Sequence, residues 1–524
     1  MEKSHQSIEF LLNSEHIELK NTDPSTTLLS YLRSGLGHKG TKEGCASGDC
    51  GACTVVLAEP DGSGLKYRSI NSCIAFLPTI AGKQVITIEA LRQEGDLHPA
   101  QQAMVDEHGS QCGFCTPGFV MSLFALGKSS PYLSDENNSP ERSNSPERSN
   151  SPERVNNSVQ IDKREQILEA LAGNLCRCTG YRSILDASER YLSELDSNNP
   201  GDSFDRETRE TVDKLNHIRE RHLESSMEDV PTLQVHLMPT TIGQLSDDLI
   251  KHPEAVLLSG GTDLGLQVTQ NLQHLSPIIY LGQVTKLKEL SISETTLNIG
   301  AGVTYSDCFT QLSHEYPTWG EMILRLGSRQ VRNLGTLGGN IGNASPIGDM
   351  PPVLIALGSK MTLRQGSTER QIQIEDYFVD YKVTSQKRSE FIVSIHIPKA
   401  RRDFHLKIYK ISKRFDDDIS AVLAVFHIKI VEEKVADISV VFGGMAAIPK
   451  RALCCEAALL GQSWTQETID QGKAALGKDY QPLSDMRASA DYRLTVAKNL
   501  LQKCYLEISQ PELQLHVLKN VRSD

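Results

Sequence analysis

Short apolar runs separated by polar turns dominate the first 90 residues of the chain. Runs of this kind, bounded by Gly, Asn, Asp and Ser, indicate β-strands. One helix is expected between them, because Pro24 and Ser25 form a start signal ahead of it. The strands are predicted over residues 8–12, 17–19, 54–57, 67–70 and 83–88, and the helix over 27–32. Short strands, one helix and a cysteine-bearing loop predict a β-grasp domain of the ferredoxin type over residues 1–90.

Over residues 91–195 the period of the apolar positions changes to that of helices. One helix has Thr116 as its expected N-cap, with Pro117 at the first helical position. A second helix is predicted over residues 162–172 and ends at Gly173, which suits a helix C-terminus. The buried stripe of the first helix is expected to contain Val120, Leu123 and Phe124. These features predict a helical domain.

A polar segment of low complexity interrupts this helical domain. The hexapeptide Ser-Pro-Glu-Arg-Ser-Asn occupies residues 139–144, repeats at 145–150 and begins again at 151–154. The segment has nothing to bury, so a disordered surface insertion is predicted over about 134–158. A phosphorylated Ser-Pro regulatory segment is the alternative interpretation. The charged stretch 196–230 that follows the domain is predicted to be a linker with some helix in its middle.

From Pro231 onward the pattern is that of mixed helices and strands. The C-terminal portion, about 404–519, combines predicted strands at 422–430 and 437–442 with a predicted helix at 486–503. The segment Tyr409 to Ile419 is dense in charge, so we expect it to be a solvated loop.

Length, charge and cysteine content limit the class of protein. A chain of 524 residues is too long for one hydrophobic core and predicts about three or four domains. Its net charge is −12 and it has no long Lys/Arg block, so nucleic-acid binding is not expected. No apolar run approaches the roughly 18 residues of a membrane span, and the N-terminus lacks the pattern of a secretory signal. The 12 cysteines are therefore expected to be metal ligands in a reducing cytoplasm rather than disulfides.

The first cysteine set lies in a glycine-rich loop. Cys45, Cys50 and Cys53 form a C-x4-C-x2-C run, and Cys73 follows after the next predicted strand pair. This is the ligand spacing of a plant-type [2Fe–2S] cluster. The glycines of the loop allow backbone N–H groups to approach the sulfurs. A zinc site is the alternative, but zinc sites usually show two C-x2-C pairs.

The second cysteine set lies at two predicted helix ends. Cys112 and Cys115 form a C-x2-C pair before one helix, and Cys176 and Cys178 form a C-x-C pair after the other. The positive end of the first helix would favour thiolate charge. We therefore expect the four cysteines to hold a second iron–sulfur cluster. A zinc clip is the alternative, although a C-x-C pair is cramped for a tetrahedral zinc ion.

Two glycine-rich loops mark the mixed α/β part of the chain, at residues 256–265 and 335–349. Neither fits the G-x-G-x-x-G pattern between a strand and a helix, which disfavours a Rossmann site. Both nevertheless offer backbone N–H groups that can converge on the oxygens of a pyrophosphate. The two loops together predict a dinucleotide site. Ordinary tight turns are the alternative.

With these motifs in view, the chain resembles the molybdenum hydroxylase family. Within that family it is similar to the iron–sulfur/FAD small subunits of xanthine dehydrogenases. The most specific segments of the resemblance are residues 44–53, 111–118, 173–181, 332–340 and 484–493. The resemblance implies a multidomain α+β chain that binds FAD, in a fold other than the Rossmann fold, over residues 231–403. An accompanying α+β domain is implied over 404–519.

The resemblance also implies which residues contact the FAD. They are Leu257, Leu258, Ser259, Gly260, Gly261, Thr262, Asp263, Leu264, Gly265, Leu326, Thr336, Leu337, Gly338, Gly339, Asn340, Asp349, Val393 and Lys410. Two positions depart from the family pattern. Ser47 stands where an acidic residue is common, and Leu326 stands where an aromatic residue usually packs near the flavin.

By the same resemblance, none of the residues of this chain is expected to be catalytic. The molybdopterin domains of the family would need many hundreds of further residues, so substrate oxidation is expected on a separate large molybdopterin-binding subunit. The two chains would form a heterotetramer or a higher assembly. Electrons from the oxidation of hypoxanthine or xanthine to urate would reach FAD through the two clusters and then pass to NAD. An aldehyde- or CO-oxidising partner, and a non-catalytic redox sensor, are the alternatives.

Overall fold

The computed structural model describes residues 7–92, 95–129, 163–197, 201–224, 236–513 and 515. The repeat of Ser-Pro-Glu-Arg-Ser-Asn, and with it the predicted insertion at 134–158, lies outside the described residues. Within the described residues, the structure has no helix with the length and apolar character that a membrane crossing requires.

The first domain is a five-stranded sheet with strand order β2-β1-β5-β3-β4. Strands β1 and β5 pair in parallel, whereas the other neighbours are antiparallel. Phe10, Val55 and Val85 lie in its core, and none of them is exposed to solvent. The five predicted strands and the helix between them are confirmed, although the last strand ends at Ile86. The elements are β1 (Ile8–Leu12), β2 (Glu15–Leu19), α1 (Leu28–Ser30) continued by a π-turn (Tyr31–Gly35), β3 (Thr54–Asp61), β4 (Gly64–Asn71) and β5 (Gln84–Ile86).

The second region is helical, with α2 (Pro99–Asp106), α3 (Thr116–Ser129), α4 (Lys163–Leu171) and α5 (Arg182–Ser197). The prediction of Thr116 as an N-cap is wrong by one residue. The carbonyl of Cys115 accepts the first helical hydrogen bond, from Phe119 N–H at 3.2 Å, so Cys115 caps α3. The Thr116 hydroxyl instead pairs with the Ser110 hydroxyl at 2.8 Å. A cysteine of the second set therefore lies at the start of this helix.

The stretch predicted as a linker contains α6 (Ser203–Arg206) and α7 (Thr208–Glu224). The helix in its middle is confirmed, but it is packed rather than solvated. Leu215 and Ile218 are buried against Leu11 of the first sheet. Their spacing of three residues places them on one face of α7, which the high charge of the segment concealed.

Among the described residues, the third region contains three sheets, one of which is the two-stranded pair β13-β14. A small parallel sheet has the order β6-β8-β7, and a larger antiparallel sheet has the order β12-β11-β15-β10-β9. Its helices are α8 (Ile242–Lys251), α9 (Leu264–Thr269), α10 (Tyr305–Glu315), α11 (Pro317–Leu324), α12 (Arg329–Arg332), α13 (Leu337–Gly342) and α14 (Met350–Ala356). Its strands are β6 (His236–Leu237), β7 (Val256–Leu258), β8 (Ile278–Tyr280), β9 (Leu290–Ile292), β10 (Thr296–Gly300), β11 (Lys360–Gln365), β12 (Thr368–Gln373), β13 (Phe378–Asp380), β14 (Val383–Thr384) and β15 (Phe391–Pro398).

The last region packs α15 (Leu453–Leu459), α16 (Gln466–Asp479) and α17 (Ala490–Ser509) on a four-stranded sheet of β16 (His405–Ile411), β17 (Val422–Val431), β18 (Lys434–Gly443) and β19 (Lys450–Arg451). Two predictions are wrong here. Tyr409 to Ile411 belong to strand β16 and not to a solvated loop, because the strand turns Ile408 and Lys410 inward. Helix α17 begins at Ala490 rather than Met486, because the Ser489 side chain caps it.

Candidate functional site

The first cysteine set lies together between α1 and the first sheet. The Cys50 and Cys73 thiols both donate to the Cys45 sulfur, which lowers the pKa of Cys45. The Cys73 thiol also contacts the Cys53 sulfur, so the four sulfurs form one connected group. Cys53 and Cys73 are each 2% exposed, whereas Cys45 and Cys50 are half-buried. Solvent therefore reaches this set only from the side of the loop.

The loop places its backbone around these sulfurs. The N–H of Ser47 donates to the Cys45 sulfur at 3.4 Å, while the Ser47 hydroxyl donates to Asp49 at 2.6 Å. Gly48 and Gly51 have φ values of +82° and +67°, which a side chain would strain. The Ser47 departure thus leaves a carboxylate, that of Asp49, beside the first cysteine.

The second cysteine set is brought together from α3 and the loop after α4. Its sulfurs meet as two pairs, Cys112 with Cys178 and Cys115 with Cys176. Cys112 and Cys178 are exposed, and the other two are half-buried. Three side chains close in sequence to these cysteines, Phe114, Leu175 and Tyr181, are 47%, 39% and 38% exposed and are called the apolar rim below. Arg177, between Cys176 and Cys178, is exposed as well.

The arrangement of the sulfurs bears on which metal group each set could hold. In the described part of the chain, no group of three or more His, Cys, Asp or Glu side chains is arranged to hold a metal ion. A [2Fe–2S] cluster divides its four thiolates between two irons, so the sulfurs need not converge on one point. A tetrahedral zinc ion would require that convergence.

The loops of the two cysteine sets are hydrogen-bonded to each other. The Leu175 N–H donates to the Cys50 carbonyl at 3.0 Å, and the Asn174 amide donates to the Gly51 carbonyl at 3.1 Å. A residue of the third region completes this junction. The Gln330 amide, from α12, donates to Asn174 at 3.0 Å and to the Ser122 hydroxyl at 3.2 Å.

Sequence reasoning assigned no role to Asn174 or Gln330. Asn174 stands two residues before Cys176, which could have drawn attention to it. Gln330 gave no signal, because its partners come from distant parts of the chain. Both side chains are almost fully buried, at 2% and 0% exposed.

The first cysteine loop also contacts the first glycine-rich loop through α9. The Thr269 hydroxyl donates to the Ala46 carbonyl at 2.6 Å, and the Gln270 amide donates to the Cys45 carbonyl at 3.3 Å. At the other end of α9, a Cβ on Gly265 would lie 2.7 Å from the Ile74 side chain. Helix α9 thus packs tightly between the two loops.

The two glycine-rich loops lie side by side. The Thr336 hydroxyl donates to the Ser259 hydroxyl at 3.1 Å and accepts from Gly339 N–H at 3.0 Å. A Cβ on Gly260 would strike the Leu334 carbonyl, which explains the need for glycine there. The structure thus brings together the 257–265 and 336–340 segments that the sequence analysis assigned to one ligand.

The paired loops have features that fit a dinucleotide. Gly339 is exposed, and apart from the Thr336 hydroxyl nothing lies within 4 Å of the position of a Cβ there. The side-chain oxygen of Asn340 is buried without a hydrogen-bond partner among the described residues. An open backbone beside an unsatisfied polar atom is the arrangement that a polar ligand would complete.

The remaining assigned residues lie deeper in the protein. Lys410 and Asp349 form a buried ion pair at 2.7 Å, and the Ser420 hydroxyl donates to the other oxygen of Asp349 at 2.6 Å. Val393 is 8% exposed and Leu326 is 9% exposed. These four side chains are therefore buried in the protein, whereas Gly339 of the second glycine-rich loop offers open backbone.

Four family models match the chain in order. They are a 2Fe-2S iron-sulfur cluster binding domain at residues 10–77, a [2Fe-2S] binding domain at 87–189, the FAD binding domain in molybdopterin dehydrogenase at 232–400 and the CO dehydrogenase flavoprotein C-terminal domain at 407–508. Fold and domains together define an oxidoreductase chain with two iron–sulfur domains and a flavin domain.

Curated relatives agree with this domain content. The chain is 31% identical to a xanthine dehydrogenase of Emericella nidulans over 573 residues, which cover 99% of this chain and 40% of the relative. It is 29% identical to the xanthine dehydrogenase/oxidase of Rattus norvegicus over 550 residues, which cover 96% of this chain and 39% of the relative. The chain thus spans about two fifths of the length of these relatives.

Solved structures show the same fold. A carbon monoxide dehydrogenase from Hydrogenophaga pseudoflava has a TM-score of 0.50 at 23% identity, with 52% of this chain and 96% of that chain covered. Quinoline 2-oxidoreductase from Pseudomonas putida 86 also has a TM-score of 0.50 at 23% identity, covering 54% of this chain and 99% of that chain. With its four domains and its relatives, the chain fits the iron–sulfur/FAD subunit of the molybdenum hydroxylase family.

Proposed function

We propose that this chain is the electron-carrying subunit of a xanthine dehydrogenase. One [2Fe–2S] cluster would be held by Cys45, Cys50, Cys53 and Cys73, and the other by Cys112, Cys115, Cys176 and Cys178. The glycine-rich loops 257–265 and 336–340 would hold FAD. When bound, the clusters would carry single electrons and the flavin would collect them as a hydride for NAD. Hypoxanthine or xanthine would be oxidised to urate on a partner molybdopterin subunit.

The observation that carries this proposal is an unbroken run of contacts. It starts at the exposed thiols Cys112 and Cys178 and passes through the Leu175–Cys50 hydrogen bond into the first cysteine loop. It continues through the Thr269–Ala46 hydrogen bond into α9, which follows the first glycine-rich loop. These contacts join the loops of both cysteine sets to the first glycine-rich loop, which supports a route between them.

The exposure of the two cysteine sets indicates the direction in which electrons would pass along these contacts. The second cysteine set is open to solvent on one side and has an apolar rim, so it is the part that a partner can reach. The first set is shielded, because Cys53 and Cys73 are buried. We therefore propose that the large molybdopterin-binding subunit docks at the apolar rim, in a cytoplasmic heterotetramer or a higher assembly.

Docking can be tested with one surface substitution. Phe114→Asp places a charge on the apolar rim, so we expect loss of the complex with a co-expressed molybdopterin subunit while both iron–sulfur spectra persist. Val379→Asp is the matched control, because Val379 is 59% exposed but lies in strand β13, outside the cysteine-bearing domains. Size-exclusion chromatography with iron and molybdenum analysis reports the complex.

Activity tests the electron route in the purified complex. Wild type should reduce NAD with xanthine as the donor, and should retain its iron and flavin through purification. A chain that holds both clusters but no flavin would point instead to a redox sensor. A complex that oxidises an aldehyde or CO but no purine would contradict the xanthine assignment alone.

A further inference from the structure

A polar cavity of about 170 Å³ lies where the first domain meets the flavin-type domain. The first sheet contributes Arg68 and Lys83 to its wall, and the loop before β9 contributes Lys288. Ser259, Gly260 and Thr336 of the two glycine-rich loops line the same cavity. The cavity therefore connects basic side chains of two domains with the backbone assigned above to the dinucleotide.

Positive charge exceeds negative charge around this cavity. Lys83 pairs with Glu59 at 3.3 Å, and Arg219 lies 3.8 Å from the same carboxylate. Arg68 pairs with Asp307 at 2.6 Å, as does Lys66 at 2.8 Å. Lys288, which is exposed to solvent, is the third cation of the cavity lining, and within the described residues its ammonium has neither an ion pair nor a side-chain hydrogen bond. The lining thus holds three cations, those of Arg68, Lys83 and Lys288, against the two carboxylates of Glu59 and Asp307.

The titration of two groups reflects this excess. Burial raises the pKa of Glu59, but the charges of Lys83 and Lys288 more than offset it and lower the pKa to about 2. Partial desolvation lowers the pKa of Lys288, and the positive charge of Lys83 lowers it further, to about 8. Lys288 nevertheless keeps contact with solvent, so it lies at the mouth of the cavity rather than inside the core. An anion entering there would relieve the repulsion between the cations.

The glycine-rich loops lack the charge that a phosphoryl group needs. Neither segment 257–265 nor segment 336–340 contains Lys or Arg, and Asp263 adds a negative charge. The N–H groups of residues 337–340 already donate to protein acceptors, so the first loop is the one whose backbone can direct hydrogen bonds at an anion. Such N–H groups cannot neutralise the anion. The nearest fixed cations that share a cavity with both loops are those of Arg68, Lys83 and Lys288.

We propose that this cavity is a phosphoryl-anion site, in which Lys288 and Arg68 supply the charge and the backbone of Ser259 and Gly260, in the first glycine-rich loop, supplies N–H donors. The proposal rests on the proposed function, because it extends the dinucleotide site across the domain boundary. Two sources share this chemistry: the pyrophosphate of FAD, and a separate phosphate group. In either case the first domain takes part in binding the anion, which the domain division alone does not suggest.

The test compares two lysines of one short turn. Lys288→Gln removes the unpaired cation at the cavity. Lys286→Gln is the matched control, since Lys286 is 61% exposed and pairs with Glu289 at 2.6 Å. The full chain is used with and without its flavin, and intact iron–sulfur spectra show that each variant is folded. Fluorescence titration gives the affinity for FAD, and calorimetry gives the affinity for inorganic phosphate.

We expect Lys288→Gln to weaken anion binding about tenfold, the usual loss for a charge-assisted hydrogen bond, and Lys286→Gln to leave it unchanged. If the anion is the FAD pyrophosphate, FAD affinity falls and phosphate competes with FAD. If it is a separate phosphate, the flavin-loaded chain binds phosphate and only that affinity falls. Equal FAD and phosphate affinities in both variants would overturn the proposal. A wild-type chain that retains no flavin would instead count against the proposed function, and the phosphate titration would still decide the site.

Discussion

The Leu175 N–H donates to the Cys50 carbonyl at 3.0 Å, so the two cysteine loops are bonded through a residue that directly precedes Cys176. The same junction buries the amides of Asn174 and Gln330. Because Gln330 comes from the flavin-type domain, three domains meet at one hydrogen-bonded point. The relative positions of the two candidate clusters therefore depend on a side chain that belongs to neither cluster domain.

Gln330→Leu should destabilise this junction. It removes the donor to the Ser122 hydroxyl and one of two donors to the buried Asn174 oxygen, to which the Ser122 hydroxyl still donates at 2.7 Å, so the cost is about 1 kcal/mol. Chemical unfolding followed by loss of the visible iron–sulfur absorption measures the change. Gln102→Leu, at an exposed position that bonds to Asp106, should change stability by less than about 0.5 kcal/mol. Equal midpoints for the two variants would contradict a structural role for Gln330.

Cys178→Ser should remove one of two paramagnetic signals and leave the other, because each cluster depends on its own four thiolates. Electron paramagnetic resonance of the dithionite-reduced chain gives the measurement, and iron analysis should fall from about four to about two per chain. Cys454→Ser is the control. Cys454 is exposed, and its backbone N–H donates to the Asp479 carboxylate rather than to a cysteine. Loss of both signals together would show that the ligand assignment is wrong.

Gly339→Val should yield protein with both iron–sulfur spectra but little FAD. Gly339 has no positive φ, so backbone strain is not the reason. The reason is that a branched side chain would fill the open face of the loop beside the Thr336 hydroxyl. Xanthine oxidation with an artificial one-electron acceptor should persist in the complex, whereas NAD reduction should fail.

The control for this substitution is Gly243→Val. Gly243 is also exposed and also lies in the first turn of a helix, but that helix, α8, is outside the glycine-rich loops. It should keep full flavin content. If Gly339→Val does the same and also turns over NAD normally, the dinucleotide lies elsewhere.

Lys410→Met should destabilise the chain by about 3–5 kcal/mol, because it leaves the Asp349 carboxylate buried without its cation. Combining Lys410→Met with Asp349→Asn should restore most of this stability, because the double variant no longer buries an unpaired carboxylate. Lys407 lies on the same strand and pairs with Glu507, but its side chain is 27% exposed. Lys407→Met should therefore cost less than about 1 kcal/mol. Midpoints of chemical unfolding distinguish the two pairs.

His427 should make the C-terminal domain less stable in mild acid. Burial between Phe404 and the end of α14 lowers the pKa of His427 to about 4, from an ordinary value of 6.5. Between these two values the unfolded chain binds the proton more readily, so the free energy of unfolding falls as the pH drops from 6.5 towards 4. From pH 7.5 to 5.5 the loss should be on the order of 1 kcal/mol.

His427→Gln should remove this contribution, because the replaced side chain does not titrate. The contribution is the difference between wild type and variant, because burial raises the pKa of Asp417 to about 7 and its titration has the opposite effect on stability in this range. His217→Gln should behave as wild type, since His217 is exposed on α7. Unfolding midpoints at pH 7.5 and 5.5 give the comparison. Equal pH dependence in wild type and His427→Gln would show that His427 is not buried in its neutral form.

Local sequence was sufficient for features whose physics is local. The spacing of Cys45, Cys50 and Cys53 follows from how thiolates surround a cluster, and the first sheet follows from short apolar runs between turns. The glycine-rich loops were recognisable because an absent side chain can be read directly from the sequence. Their backbone angles could not be read in the same way, because they depend on the helix that forms, and Gly339 has no positive φ.

Tertiary structure alone decided which side chains meet across the domains. The sequence analysis placed Lys410 in a solvated charged segment, but strand β16 directs its side chain inward, where it pairs with Asp349. Leu215 and Ile218 belong to a segment that was predicted to be a linker, but they pack on the first sheet. Gln330 and Lys288 belong to no motif that the sequence analysis could recognise. Burial and charge pairing depend on contacts between residues that are distant in the chain. These contacts form only when the domains pack together.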